Sequence, residues 1–339
     1  MGLAFGQMAR GLGRWIPPAA LRHAGQPAAL FFHGVERTTA DGRIQVNHHE
    51  ADAFRAILAA LKRDFTVLPL TELAAVLAAP QKHARSVFLM SDDGYRNTLT
   101  VAADILDEFQ MPWTLFVSTA HIGGRPNPIF LARLFFFFAA DGRYALPHFP
   151  EPVLLGENRE KTALSGIDHL RFLPAEQAEE SLAAMVAQFA PEVWAGLIAR
   201  YPSEQFLDWD GVRALARRGV AIGAHADSHW PLHERQSDAW LRQQTFGAKA
   251  RIEAELGPCS TFAYPFGNKT DVGRRAWRAV RDAGFTHAFT TLSGTLAAGG
   301  NPWLLPRYGL GPRDSHVGSL VPLLAAGNPR LLSWQGSLS

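Results

Sequence analysis

The sequence predicts an α/β fold built on a parallel sheet, open or closed into a barrel. Three observations carry that expectation. Short apolar runs alternate with segments of helical period along most of the chain. The runs are continuously apolar, as strands covered on both faces must be. The polar residues of chemical interest stand where strands end: His33, Asp92, Asp93, His225, His229 and the loop 264–267. Parallel α/β folds place their active sites at the carboxyl ends of strands.

Each element follows from local pattern. Residues 28–33 are an apolar run ending in a polar residue. Residues 50–63 show helical spacing through Phe54, Ile57, Leu58 and Leu61. A strand at 65–68 and a short helix at 70–78 come next. Residues 86–90 form a buried strand, 98–109 a helix ended before Pro112, and 113–117 another buried strand. Past His121 the rhythm breaks. The stretch 122–205 is rich in Pro and Phe, is helical from 175 to 189, and reads as a mostly helical insertion. The rhythm returns with a helix at 209–218 closed by Gly219, and a strand at 220–223. A long helix at 238–256 is closed by Gly257. A strand at 261–264, a helix at 271–283, and strands at 286–290 and 304–310 complete the pattern. The chain divides into an N-terminal segment 1–27, a sheet-and-helix domain 28–311 carrying the insertion, and a tail 312–339.

Composition narrows the function. Of 339 residues, 47% are hydrophobic and 19% charged, which suits a sizeable core and excludes a disordered chain. Lys+Arg is 33 against Asp+Glu 31, so no basic field exists and no nucleic-acid partner is expected. The single cysteine, Cys259, excludes an internal disulfide framework. It stands between Pro258 and the apolar run at 262–264, which suits packing at the base of a strand better than nucleophilic work. The first 18 residues are interrupted by Gln7, Arg10 and Arg14 and lack the apolar core of a secretory signal. Leu3, Phe5, Met8, Leu12, Trp15 and Ile16 make a ragged amphipathic face. That face fits docking on its own domain or peripheral membrane contact. Gly6 stands where a myristoylation signal needs Ser or Thr. Residues 129–140 are the most apolar stretch but contain Arg133, and a span needs about 20 residues. The expected location is cytoplasmic, with any membrane association through the N-terminal segment.

Three motifs bear chemistry. Asp92 and Asp93 are adjacent carboxylates after a buried strand, followed by Gly94, which allows a sharp exit. Two such charges repel unless something positive sits beside them; a divalent metal supplies that and leaves one Asp free as a base. An Asp-Gly turn is the plain alternative. His225 and His229 face the same way if their loop makes one helical turn, and a third ligand would complete a facial metal set. With 13 histidines in the chain, two surface histidines near a turn are the plain alternative. Asp227 points away in such a turn. Phe262, Tyr264, Pro265, Phe266 and Gly267 put aromatic walls beside a backbone N–H, that of Phe266, able to donate to an oxyanion.

Together these motifs resemble the polysaccharide deacetylase family, carbohydrate esterase family 4, with its nodulation-type deacetylase homology domain. Val87 to Tyr95 resembles its first motif, Ile222 to His229 its second and Phe262 to Gly267 its third. Phe31, Phe32, His33, Gly34 and Val35 are similar to the first strand of one branch. The resemblance implies a deformed (β/α) barrel and a hydrolytic site. Asp93, His225 and His229 would hold a divalent metal, Zn²⁺ first, and Asp92 would be the general base. Phe266 would help hold the oxyanion, and the substrate would be an N-acetylated sugar in a polysaccharide, oligosaccharide or glycolipid precursor.

The chain also departs from the family. Ser91 replaces an aromatic residue, and Ala226 replaces a hydroxyl residue. Ala263 stands where many members carry Arg, so Asp92 is expected to lack an orienting partner. No final Leu-x-His motif supplies a general acid. His33 is the first candidate for that position, with His316 and His287 behind it. His48 and His49 read as flanking a helix capped by Asn47, with Glu50 in its first turn. The phenylalanines at 135–138 and Trp209 read as core packing. Two rival functions remain: a non-sugar amidase or deformylase with the same site, and a carbohydrate-binding protein without catalysis.

Overall fold

The computed structural model describes residues 26–312. The N-terminal segment, most of the tail and His316 lie outside the described residues. Twelve strands and eleven α-helices run in this order. The first half holds β1 (Ala28–Phe32), β2 (Gly34–Glu36), β3 (His48–Glu50), α1 (Ala51–Asp64), β4 (Thr66–Val67), α2 (Leu73–Ala78), β5 (Ser86–Ser91), α3 (Ala103–Phe109) and β6 (Thr114–Val117). The insertion holds α4 (Pro128–Phe138), β7 (Gly142–Tyr144), β8 (Val153–Leu155), α5 (Arg159–Phe172), α6 (Ala175–Val186) and α7 (Pro191–Ala199). The second half holds α8 (Trp209–Arg217), β9 (Ala221–Ala224), α9 (Asp238–Arg242), α10 (Ala248–Leu256), β10 (Thr261–Ala263), α11 (Arg274–Asp282), β11 (His287–Phe289) and β12 (Tyr308–Gly309).

The main sheet runs β11-β10-β9-β6-β5-β1-β12 and is parallel throughout, with β4 added beside β5. Its two ends are joined by one short segment. Leu305 bridges Phe289 of β11, and three residues later Tyr308 pairs with Leu30 of β1. The sheet thereby curls into a deformed barrel.

Strand residues alternate between two cores. Ala29, Phe31, Phe88, Met90, Phe116, Ala263, Phe289 and Leu305 fill the interior. Leu30, Phe32, Leu89, Leu115, Val117 and Phe262 pack outward against the helices. Complete burial of each such large side chain stabilises by about 1.5–3 kcal/mol, which fixes register because a one-residue slip would exchange the two faces. The insertion has its own core around Phe135, Phe136, Leu170, Met185 and Trp230. The sequence missed the pairs β2–β3 and β7–β8, whose strands are three residues each. His48 and His49 are buried in β3 rather than flanking a capped helix; Glu50 is the N-cap of α1 and makes no side-chain cap bond. Gly34 is required there, since a Cβ would lie 2.2 Å from His48 Nδ1. No single helix among the described residues is long and apolar enough to cross a membrane.

Candidate functional site

The period of two that fills the barrel also aims the site. It carries the inward row from Phe31 to His33 and from Met90 to Asp92, and Phe31, His33 and Asp92 line one cavity with Asp93, His225 and His229. The cavity holds about 390 Å³.

Asp92 continues the β5 ladder, its N–H donating to Phe32 O at 3.0 Å. The chain then turns sharply: Asp93 has φ +80 and Gly94 φ +92. A non-glycine residue in that region costs on the order of 1–3 kcal/mol, and such strain gathers at functional sites. His225 follows β9, its N–H donating to Val117 O at 2.8 Å. Its Nδ1 lies 2.8 Å from Ala263 O. A carbonyl only accepts, so Nδ1 carries the proton and Nε2 keeps its lone pair. His225 and His229 are not on a helical turn, as the spacing suggested. Ala226 and His229 have φ 59 and 56, and this left-handed loop brings the two rings to 5.1 Å. Asp227 points away, accepting from Thr119 Oγ1 at 2.6 Å, while Gln244 Oε1 accepts the N–H groups of Asp227 and Ser228.

Asp93 Oδ1 lies 3.2 Å from His225 Nε2 and 2.8 Å from His229 Nε2. The donor atoms of all three residues fall within 4.8 Å of one another. Asp93 Oδ1 nevertheless has no hydrogen bond of good geometry, nor does His229 Nδ1. Burial by itself would raise the Asp93 pKa; His229, His225 and His33 outweigh it and hold the carboxyl well below its ordinary range. Burial would likewise lower the His225 pKa, but Asp92 and Asp93 reverse the direction. Both shifts mean that the cluster favours positive charge at its centre. Two imidazoles and a carboxylate with an unmet oxygen fit a divalent ion.

Asp92 does have an orienting partner, contrary to the expectation drawn from Ala263. Arg307, at the barrel-closing segment, donates from Nη1 to Asp92 Oδ1 and from Nη2 to Oδ2, both at 2.8 Å. Its Nε donates to Thr290 O at 3.0 Å, and its guanidinium lies 4.3 Å from the Phe31 ring centroid. Arg307 is 0% exposed. Burial pushes the Asp92 pKa up, and Arg307, His225 and His33 together bring it below the ordinary value. The sequence held a signal for this pair: a guanidinium inside the apolar segment 304–310 demands a buried acid.

His33 stands in the cavity wall, half-buried, with Ser91 Oγ donating to its carbonyl at 2.8 Å. Ser91 thus ties β5 to β1. Burial lowers the His33 pKa, with Asp93 and Asp92 pulling in the opposite direction. His287 opens β11, at the opposite end of the strand from the cavity. Tyr95 contacts Asp93 through its hydroxyl, stacks on Phe206 at 5.1 Å and meets the His48 ring, tilted, at 4.8 Å. The sequence offered no sign of that stack. Cys259 is buried and its thiol pushed up to about 11, which suits packing rather than nucleophilic work.

The loop after β10 is fastened from the insertion. Phe266 has φ +60 and lines the cavity, and its N–H donates to no group among the described residues. The Thr291 hydroxyl donates to the Phe266 carbonyl. Arg171 of α5 lies 4.4 Å over the Phe266 ring, whose other neighbour is His229 at 5.3 Å. Arg171 Nη2 donates to both Asp271 oxygens at 2.8 Å, and Asp271 Oδ2 accepts the Asn268 N–H at 2.9 Å.

No family model and no curated protein matches this chain. Solved structures do match. The deacetylase PplD of Streptococcus pyogenes, solved with acetate, is 14% identical with a TM-score of 0.54, covering 85% of this chain and 93% of that one. IcaB from Ammonifex degensii is 15% identical with a TM-score of 0.55, covering 90% of this chain and 99% of that one. BC0361, a polysaccharide deacetylase from Bacillus cereus, is 14% identical with a TM-score of 0.55, covering 88% and 69%. The fold is that of the polysaccharide deacetylases.

Proposed function

We propose that the protein is a metal-dependent hydrolase that removes the N-acetyl group from an N-acetylated sugar in a polysaccharide, oligosaccharide or glycolipid precursor. One observation carries this reading. The Asp93–His225–His229 donor set and the Arg307–Asp92 pair meet at the mouth of a deacetylase-type barrel. The donor set suits Zn²⁺ first. When bound there, a divalent ion polarises the amide carbonyl and acidifies a water.

The remaining work falls to the chain's own groups. Asp92, kept ionised by Arg307, accepts a proton from the attacking water. The Phe266 N–H donates to the carbonyl oxygen as it gains negative charge. The C–N bond then breaks. A carboxyl held this low gives its proton up readily, so Asp92 returns it to the leaving amine, and acetate is the second product. His33, in the cavity wall, is placed to hold substrate by a hydrogen bond. Phe31, Phe130 and Phe266 give the cavity apolar faces for a sugar ring, with Asn47 and Asn127 polar between them.

Release of acetate from N-acetylated substrates and of formate from N-formylated ones, by zinc-loaded protein, tests the reading. Acetate from sugars is expected, with loss in both Asp93→Ala and His225→Ala. Release retained in those variants contradicts it. Formate release alone favours the amidase reading, and glycan binding without any hydrolysis favours the binding protein.

A further inference from the structure

The wall of this cavity also carries a cation, Arg133, that forms no ion pair among the described residues. Arg133 of α4 lines the cavity and makes one hydrogen bond, from Nη1 to Arg43 O at 3.0 Å. Among the described residues no carboxylate lies within 4.0 Å of it. The other acid at this wall, Glu204, is buried and pairs with His48 Nε2 at 3.0 Å. The two acids at the catalytic end are also engaged, Asp92 by Arg307 and Asp93 by the histidines. A second groove of about 320 Å³ shares Phe130 and Glu204 with this cavity. It carries Arg96 and Arg125, again with no carboxylate within 4.0 Å among the described residues. The acid at its far side, Asp208, caps α8 by accepting the Gly211 N–H at 2.7 Å.

We infer that Arg133 is an anion-binding subsite, and that the sugar hydrolysed here carries a carboxylate or phosphate group within reach of it. This rests on the deacetylase reading above and specifies its substrate class. A half-buried guanidinium without a contacting carboxylate is costly: burial lowers the Arg133 pKa, Glu204 offsets only part of that, and an arriving anion relieves the rest. Guanidinium groups form charge-assisted, frequently two-pronged bonds with carboxylates and phosphates. Arg96 and Arg125 extend the same preference outward, so a longer anionic substituent leaves through the second groove.

The test compares wild type, Arg133→Met and Arg133→Lys, all zinc-loaded. Initial rates are measured on N-acetylglucosamine (neutral), N-acetylmuramic acid (carboxylate) and N-acetylglucosamine 1-phosphate. Calorimetric binding of the three deacetylated products is measured alongside. Wild type is expected to favour one or both anionic compounds by about tenfold or more, and the favoured one identifies the anion. Arg133→Met narrows that ratio toward unity and Arg133→Lys recovers part of it. A wild type without anionic preference overturns the inference. So does an Arg133→Met variant that weakens neutral and anionic compounds equally, since that is a structural loss. If no N-acetyl sugar is hydrolysed, the deacetylase reading fails, and product binding still decides the role of Arg133.

Discussion

Two arginine–aspartate pairs flank the site, and they differ in kind. Arg307 meets Asp92 as a fork, one nitrogen to each oxygen, with the guanidinium 0% exposed inside the barrel. Arg171 meets Asp271 through a single nitrogen, shares itself with Asp168 and is 15% exposed. The pKa directions separate accordingly. Asp92 ends below the ordinary carboxylate value, because Arg307, His225 and His33 together overcome its burial. Asp271 ends above it, because burial outweighs Arg171 and Asn268. The first pair keeps Asp92, the proposed base, ionised. The second is a fastener between the insertion and the loop of Phe266, and its charge is incidental.

Breaking the first pair has the larger effect. Asp92→Asn removes the proposed base, so kcat falls about 10²–10⁴-fold. It also strands a buried guanidinium, and denaturant unfolding should show a loss of about 3–5 kcal/mol. Arg307→Met leaves the carboxylate and removes its counter-charge. The Asp92 pKa then rises, and the acid limb of the kcat/KM profile moves to higher pH; an unmoved limb would separate Arg307 from the base.

The second pair is predicted to matter less and differently. Arg171→Met frees the Phe266 loop, lowering kcat several-fold with a smaller change in unfolding free energy than Arg307→Met. Equal losses in the two variants would erase the distinction. The smallest effect lies in pH dependence. The raised pKa of Asp271 means that its contribution to stability is complete below the ordinary carboxylate value of 3.8 and is lost as pH rises through the raised value. Asp92 runs the other way, contributing above 3.8 and losing that contribution as pH falls through its lowered value. Wild type should therefore gain on Asp271→Asn as pH falls from neutrality toward 4, read as Tm against pH, whereas a gain on rising pH would refute the assignment.

The same contrast shows what sequence can disclose. The barrel strands were legible because burial on both faces leaves continuous apolar runs. Asp92, Asp93, His225 and His229 were legible because each follows such a run. Arg307 precedes a two-residue strand, and its partner Asp92 lies 215 positions away, two strands across the sheet. Only the closed sheet brings them together. The left-handed turns at Ala226 and His229 have no glycine to announce them, so the helical-turn expectation was natural and wrong. Arg171 comes from an insertion whose packing follows its own core, and no local pattern links it to Phe266. The strands β2 and β3 are too short to show a period. Chemistry at strand ends was readable one residue at a time; the groups that orient it came from tertiary closure.

The central claim is that Asp93, His225 and His229 form one divalent-metal site at the barrel mouth. Elemental analysis of purified wild type beside Asp93→Ala, each incubated with zinc and desalted, tests it most directly. About one equivalent in wild type and a near-complete loss in the variant is the predicted result. Equal metal in both proteins, or none in a folded wild type, would contradict the account.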